Sequence, residues 1–331
     1  MKQQRTLILD RKTIVSLMDM KKAIVAVETI FREYGLGHAR MPPKVYLDLP
    51  EFRGDFRAMP AYDGRTGRCS IKWVNAHPEN AKYGLPAIMA VIVLNDPRTG
   101  FPLSVMDGTH ITNIRTGAAG AVAARYLARK DSSVVALVGC GAQGRTQLAA
   151  LRQIFKIREV RVWGREAALM KRFLKEMRRP AEKMSAHATV RECVQEADII
   201  VTTTPSRGPI VERAWIPKGA HINAIGADAK GKQELDPAIL KDARVVVDDF
   251  RQASHSGEIN VAFEEGFLQS GDIHAELGEI VCGRKGGRVS NHELTVFDST
   301  GLAIQDLAVA ALIYRTALRR KAGRMVNLVG A

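Results

Sequence analysis

The spacing of apolar positions divides the chain into two textures that meet near residue 116. Before that point, Ile14, Leu17, Met18, Ile24, Val27, Ile30 and Phe31 recur at helical intervals over residues 13–34, with Asp19 as a second start signal. Met41-Pro-Pro43 then forces a break. Lys44-Val-Tyr-Leu-Asp-Leu49 alternates and predicts a strand, and further strands are expected over 68–74, 87–95 and 102–106. This region reads as mixed α+β with hairpin-like connections.

Beyond it, Thr116 to Ala128 predicts an alanine-rich helix followed by Arg129-Lys130, cations that a helix C-terminus favours. Val134-Val-Ala-Leu-Val138 is continuously apolar, as a parallel strand buried on both faces must be. Helices over 143–155 and 166–178 and strands over 159–163, 197–202, 221–225 and 244–248 follow. Strands alternating with helices predict an α/β fold with a Rossmann-type doubly wound parallel sheet. A last helix, 301–320, carries Ile304, Leu307, Ala308, Ala311 and Leu312 on one face.

Composition narrows the function classes. A length of 331 residues, 46% hydrophobic and 25% charged, suggests two globular domains and excludes disorder, collagen-like repeats and a disulfide scaffold. The net charge of +14 invites a polyanion partner. Its densest segments (Lys171 to Arg179, Arg284 to Arg288, Arg319 to Arg324) are scattered, however, and aromatic content is only 6%, so nucleic acid is not expected. The apolar run Leu7–Leu9 is closed by Asp10-Arg11-Lys12, which is no signal-peptide core, and no apolar run approaches the ~20 residues of a bilayer span. Cys69, Cys140, Cys193 and Cys282 form no CxxC pair. The expectation is a cytoplasmic protein with reduced thiols, no metal site and no membrane partner.

Candidate chemistry begins at Gly139-Cys-Gly141-Ala-Gln-Gly144, which follows the apolar strand and opens a helix. Gly139 permits a tight turn, Gly141 lets backbone N–H groups approach a pyrophosphate, and Gly144 allows close helix–strand packing. Strand, glycines, helix and second strand occur in the order a dinucleotide site requires. At the end of the second strand, Gly164 stands where an acid would hold the ribose of NAD, and Arg165 could meet the 2′-phosphate of NADP. The residues leave both cofactors open.

Lys72-Trp-Val-Asn-Ala-His-Pro78, Thr112-Asn-Ile-Arg-Thr-Gly-Ala-Ala119, Thr203-Thr-Pro-Ser206, Asn223-Ala-Ile-Gly-Ala-Asp228, Gly231-Lys-Gln-Glu-Leu-Asp236 and Phe297-Asp-Ser-Thr-Gly301 together resemble the ornithine cyclodeaminase/mu-crystallin family. The resemblance runs from about residue 5 to 320. Met41-Pro-Pro-Lys-Val-Tyr-Leu47, Gly257-Glu-Ile-Asn-Val-Ala262 and Thr300-Gly-Leu-Ala-Ile-Gln-Asp306 bring it closest to the archaeal-type alanine dehydrogenase branch. It implies a discontinuous substrate-binding and dimerisation domain, 1–115 plus 306–331, and a dinucleotide-binding domain, 116–305. It also implies a homodimer, an amino-acid or 2-oxo-acid substrate and NAD(P)-dependent oxidative deamination of L-alanine, with NAD the cofactor of the nearest branch.

The same resemblance implies roles. Lys72 contacts substrate and moves protons, and Asp228 is the general acid/base. Arg115, which precedes the alanine-rich helix, touches both the substrate carboxylate and the cofactor, and Lys44 holds the carboxylate. Ala142 and Gln143 approach the pyrophosphate. Thr204, Lys232 and Ser299 line the cofactor cleft, with Ile225, Gly226, Ala227 and Asp228 at its edge. His77 and His110 replace no catalytic residue of the family.

Arg57 departs from the pattern. Cyclodeaminases carry an acid before Met-Pro to hold a distal ammonium, whereas Arg57-Ala-Met-Pro60 would repel one and could grip a carboxylate. Arg57 paired with Asp55 or Glu51 and facing solvent is the structural alternative. Two other activities stay open: cyclic ketimine (pyrroline-2-carboxylate) reduction or ornithine cyclodeamination, and non-catalytic NADP(H)/ligand binding as in mu-crystallin-like members.

Overall fold

The computed structural model describes residues 4–329. Residues 1–3 and 330–331, the outer ends of the expected first domain, lie outside the described residues. Contacts divide the chain into one unit ending at Arg115 and resuming at Leu302, and a second, Thr116–Gly301.

In the first unit, strands run in the spatial order Arg324–Val326, Thr6–Leu9, Pro102–Asp107, Ile88–Asn95, Arg68–Ala76, Gly54–Asp63 and Ala39–Arg40, and Val45–Leu49 also pairs with Gly54–Asp63. Pairing is antiparallel throughout except between Thr6–Leu9 and Pro102–Asp107. The sequence reading gives no strand over Gly54–Asp63, because Gly54 and Pro60 interrupt the pattern. The register Met59–Lys72–Ile92–Met106 nevertheless runs straight across it, on the buried face. The opposite face carries the row Val45–Ala58–Trp73–Val91. Helix Ala303–Arg320 packs on three strands of this sheet and against Met20–Gly35. The expected 13–34 helix is two, Arg11–Leu17 and Met20–Gly35, because Asp10 and Asp19 each accept an N–H from the first turn that follows.

Helix Thr109–Leu127 corrects the sequence reading at both ends. Asp107 accepts from the Thr109 and His110 N–H groups at 3.2 and 3.1 Å, which starts the helix well before Thr116 and places Arg115 inside it. It stops at Leu127, so Arg129 lies past its end, paired with Asp198.

The second unit holds a parallel sheet in the order Lys183–Ala186, Glu159–Trp163, Val134–Val138, Ile199–Thr202, His221–Ala224, Thr295–Asp298, Arg244–Val247 and Ile273–Glu276. From Val134–Val138 the chain winds first to one side and then to the other. That reversal is the topological switch point, where open α/β sheets bind ligands at the carboxyl ends of the strands. Both faces are buried: Val135 and Leu137 meet Leu148, Leu151 and Phe173, while Ala136 and Val138 meet Val190, Val194 and Ile222. Among the described residues no helix is long and apolar enough to cross a membrane.

Candidate functional site: a dinucleotide cradle and a buried lysine

The cradle lies at the switch point. Gly139 turns with φ 114°, and a Cβ there would stand 2.5 Å from Thr203 Oγ1, so no other residue fits. Gly144 is equally confined, its missing Cβ lying 2.4 Å from the Gly139 carbonyl oxygen. Gly141 differs: a Cβ would meet nothing within 4 Å. It is also the N-cap of Ala142–Leu151 and gives that helix no side-chain cap. Open space before uncapped helix amides, in a cleft of about 270 Å³, fits a diphosphate.

Gly139, Gly141, Gly164, Arg165 and Thr204 line this cleft. Ala142 and Gln143 begin the adjoining helix, where Gln143 accepts a hydrogen bond from Thr146. Gly164 has a packing reason: its Cβ would lie 2.7 Å from Cys140 Sγ, so the acid expected at this place has no room. Arg165 is exposed at the rim.

The remaining cofactor candidates stand at the ends of the next two strands. Ile225, Gly226, Ala227 and Asp228 follow His221–Ala224, and Asp228 pairs with Lys232 at 2.5 Å. Ser299 follows Thr295–Asp298; its buried hydroxyl has no hydrogen-bond partner among the described residues, as suits a group aimed at a ligand.

The first unit builds a second constellation. Lys72 is 1% exposed, its Nζ 2.7 Å from Asp306 Oδ2 and 3.4 Å from Thr112 Oγ1. Arg115 donates to Asp306 Oδ1 at 3.0 Å and to Gln305 Oε1 at 2.9 Å. One carboxylate thus holds two buried cations. Burial pulls the Lys72 ammonium down to about 7; Asp306 opposes the fall, while Arg115 and Lys44 add to it. Lys44 is half-buried at the head of its strand. Arg57 is buried rather than solvent-facing, bound to both Asp55 oxygens at 2.7 and 3.1 Å and stacked over Tyr46. Its pairing with Asp55 matches the structural alternative; its burial does not. His77 bonds to Asn75 at 2.9 Å.

Sequence reasoning assigned no role to Asp306, Thr112 or Gln305. All lie inside motifs quoted above, but Asp306 is 191 residues from Arg115 along the chain, and farther still from Lys72.

A Rossmann-type unit with a diphosphate cradle, joined to an α+β unit that buries a lysine of lowered basicity, defines a dinucleotide-binding class of protein. The sequence model of the ornithine cyclodeaminase/mu-crystallin family matches residues 4–321, and the chain belongs to that family. It is 51% identical over 322 residues to the alanine dehydrogenase of Archaeoglobus fulgidus, covering 97% of this chain and 98% of that one. Among solved structures, an archaeal alanine dehydrogenase dimer with bound NAD superposes with a TM-score of 0.94 at 50% identity, covering 98% and 99% of the two chains. The Δ1-pyrroline-2-carboxylate reductase of Thermococcus litoralis, in complex with NADH and L-proline, also reaches 0.94 at 38% identity, covering 97% and 100%.

Proposed function

We propose that this alanine dehydrogenase-like, NAD-dependent enzyme interconverts L-alanine with pyruvate and ammonia. The observation that carries the reading is Lys72: a buried amine near 7, held by Asp306 beside Arg115, is a proton carrier suited to neutral pH. Arg115 and Lys44 supply the cations for a carboxylate. Asp228, held by Lys232, is the second proton-handling group. The cradle fits NAD, which when bound supplies the hydride acceptor for the substrate Cα hydrogen. The Asp55 carboxylate that a second substrate ammonium would seek is already bound twice by Arg57, which favours a small side chain over ornithine. Four free thiols fit a reducing, cytoplasmic setting.

The outer face of the first unit's sheet supports a homodimer. Val45, Trp73 and Val91 share a cross-strand row and are 63, 44 and 48% exposed. An apolar row of this kind on a sheet face suits burial against a second copy.

The test is an initial-rate matrix of NADH and NADPH against pyruvate with ammonium and against pyrroline-2-carboxylate. NADH oxidation that needs both pyruvate and ammonium is the expected result. Faster turnover of the cyclic imine without ammonium would replace this reading with the second, which the likeness to the Thermococcus reductase favours. Asp228→Asn is expected to abolish turnover and leave NADH binding intact.

A further inference from the structure

The ends of two neighbouring strands in the second unit are joined by one side chain. Ile199–Thr202 leads into Thr204, and His221–Ala224 leads into Gly226 and Asp228. Glu234 Oε1 accepts the Thr204 N–H at 2.6 Å, and its Oε2 accepts the Gly226 N–H at 2.9 Å. Glu234 is wholly buried, on the strand Gln233–Leu235. A Cβ on Gly226 would stand 2.4 Å from Glu234 Oε2, so the clasp closes only because residue 226 is glycine.

A second buried carboxyl braces the first. Glu258 Oε1 accepts the Glu234 and Leu235 N–H groups at 2.8 and 2.7 Å, while its Oε2 has no hydrogen-bond partner among the described residues. Two adjacent buried carboxyls are a poor source of stability, since apolar residues of similar volume would pack without their desolvation cost. Burial, with the Glu234 charge beside it, holds Glu258 well above the ordinary carboxylate range, so Glu258 is the member that keeps a proton.

We propose that Glu234 is a positioning residue for the reaction: it fixes the spacing of the Thr204 and Gly226–Asp228 loops, and so the place of the Asp228 carboxylate beside the cofactor cleft. The inference rests on the proposed role of Asp228. Both Glu234 oxygens must accept, so a glutamine there sets an amide NH2 against one of the two backbone N–H groups. Glu258 works through a single oxygen, so a glutamine there reproduces its protonated form. The two substitutions therefore have opposite expectations.

The experiment compares Glu234→Gln, Glu258→Gln and Asp228→Asn in the full chain, with pyruvate, ammonium and NADH, together with amide hydrogen exchange. Glu234→Gln is expected to lower kcat about 10- to 100-fold, the usual cost of a misplaced group. The KM for pyruvate should stay within about twofold, because that interaction is not touched. Exchange should quicken at Thr204 and Gly226 but not along the central strands. Glu258→Gln should keep kcat within about twofold. Should Glu234→Gln not fold, Glu234→Asp takes its place: it keeps the charge but is one methylene too short to reach both amides, and the same losses are expected. Unchanged kcat in the Glu234 variant, or faster exchange throughout the unit, overturns the inference. Wild-type turnover by Asp228→Asn overturns the proposed function instead; an inactive Asp228→Asn beside a fully active Glu234→Gln defeats only the present inference.

Discussion

Asp306 is the residue on which the first unit's chemistry turns. It lies in the first turn of its helix, where a carboxylate is favoured, and from there it meets Lys72 and Arg115 together. Removing a carboxylate from between two buried cations costs about 3–5 kcal/mol, so Asp306→Asn should lower the melting temperature markedly. Its effect on pH dependence has a definite sign. Asp306 stabilises protonated Lys72 against burial and Arg115; without it the lysine becomes still less basic. Under the proposed alanine oxidation, with the neutral Lys72 amine taking the proton, activity is expected to rise with pH through the Lys72 ionisation. The acid limb of kcat/KM should therefore move to lower pH in Asp306→Asn, and a limb that stays or moves upward would contradict the assignment of Lys72. Lys72 itself was legible from its motif. Asp306 was not given a role, because sequence adjacency says nothing about which distant cation a helix turn will face.

Among the elements, the cradle was the most legible. Its glycines follow from local backbone geometry: Gly139 and Gly144 are sterically confined, whereas Gly141 leaves open space before the helix amides. That separation is testable with two conservative variants. Gly141→Ala places a methyl in open space, so stability should change by no more than about 0.5 kcal/mol. NADH affinity should nevertheless fall at least about tenfold, as a diphosphate displaced from the helix amides requires. Gly144→Ala forces a Cβ to 2.4 Å from the Gly139 carbonyl and should cost about 1–3 kcal/mol even without cofactor. Thermal melts and fluorescence titration distinguish the two. Less legible were elements whose start or face is set by tertiary context. Thr109–Leu127 begins early because Asp107 caps it, and Gly54–Asp63 is a strand despite Pro60 because strands pair with it on both sides. Arg57 gains its burial from that strand.

For the whole molecule, the alternation of Arg68–Ala76 gives one sheet two purposes. Lys72 points to the buried face and Trp73 to the exposed one, where it stacks on Phe56 with ring centroids 5.2 Å apart. Trp73→Arg should therefore leave the fold intact and shift sedimentation from dimer to monomer; an unchanged sedimentation coefficient would place the interface elsewhere. The sequence changes texture at residue 116, where the contacts also divide the chain, but periodicity alone could not reveal that the last helix rejoins the first unit. The net charge of +14 was the least informative property, since few of its cations lie in either constellation. The returning helix also dictates an order of events on the ribosome. Synthesis runs from the N-terminus, and the second unit, being continuous, has all its strands as soon as residue 301 has emerged. The first unit must wait, Lys72 and Arg115 without their carboxylate, until helix Ala303–Arg320 has emerged. A truncated product lacking that helix would therefore carry a cofactor cradle without the carboxylate that holds Lys72 and Arg115, and with three strands of its sheet stripped of their cover.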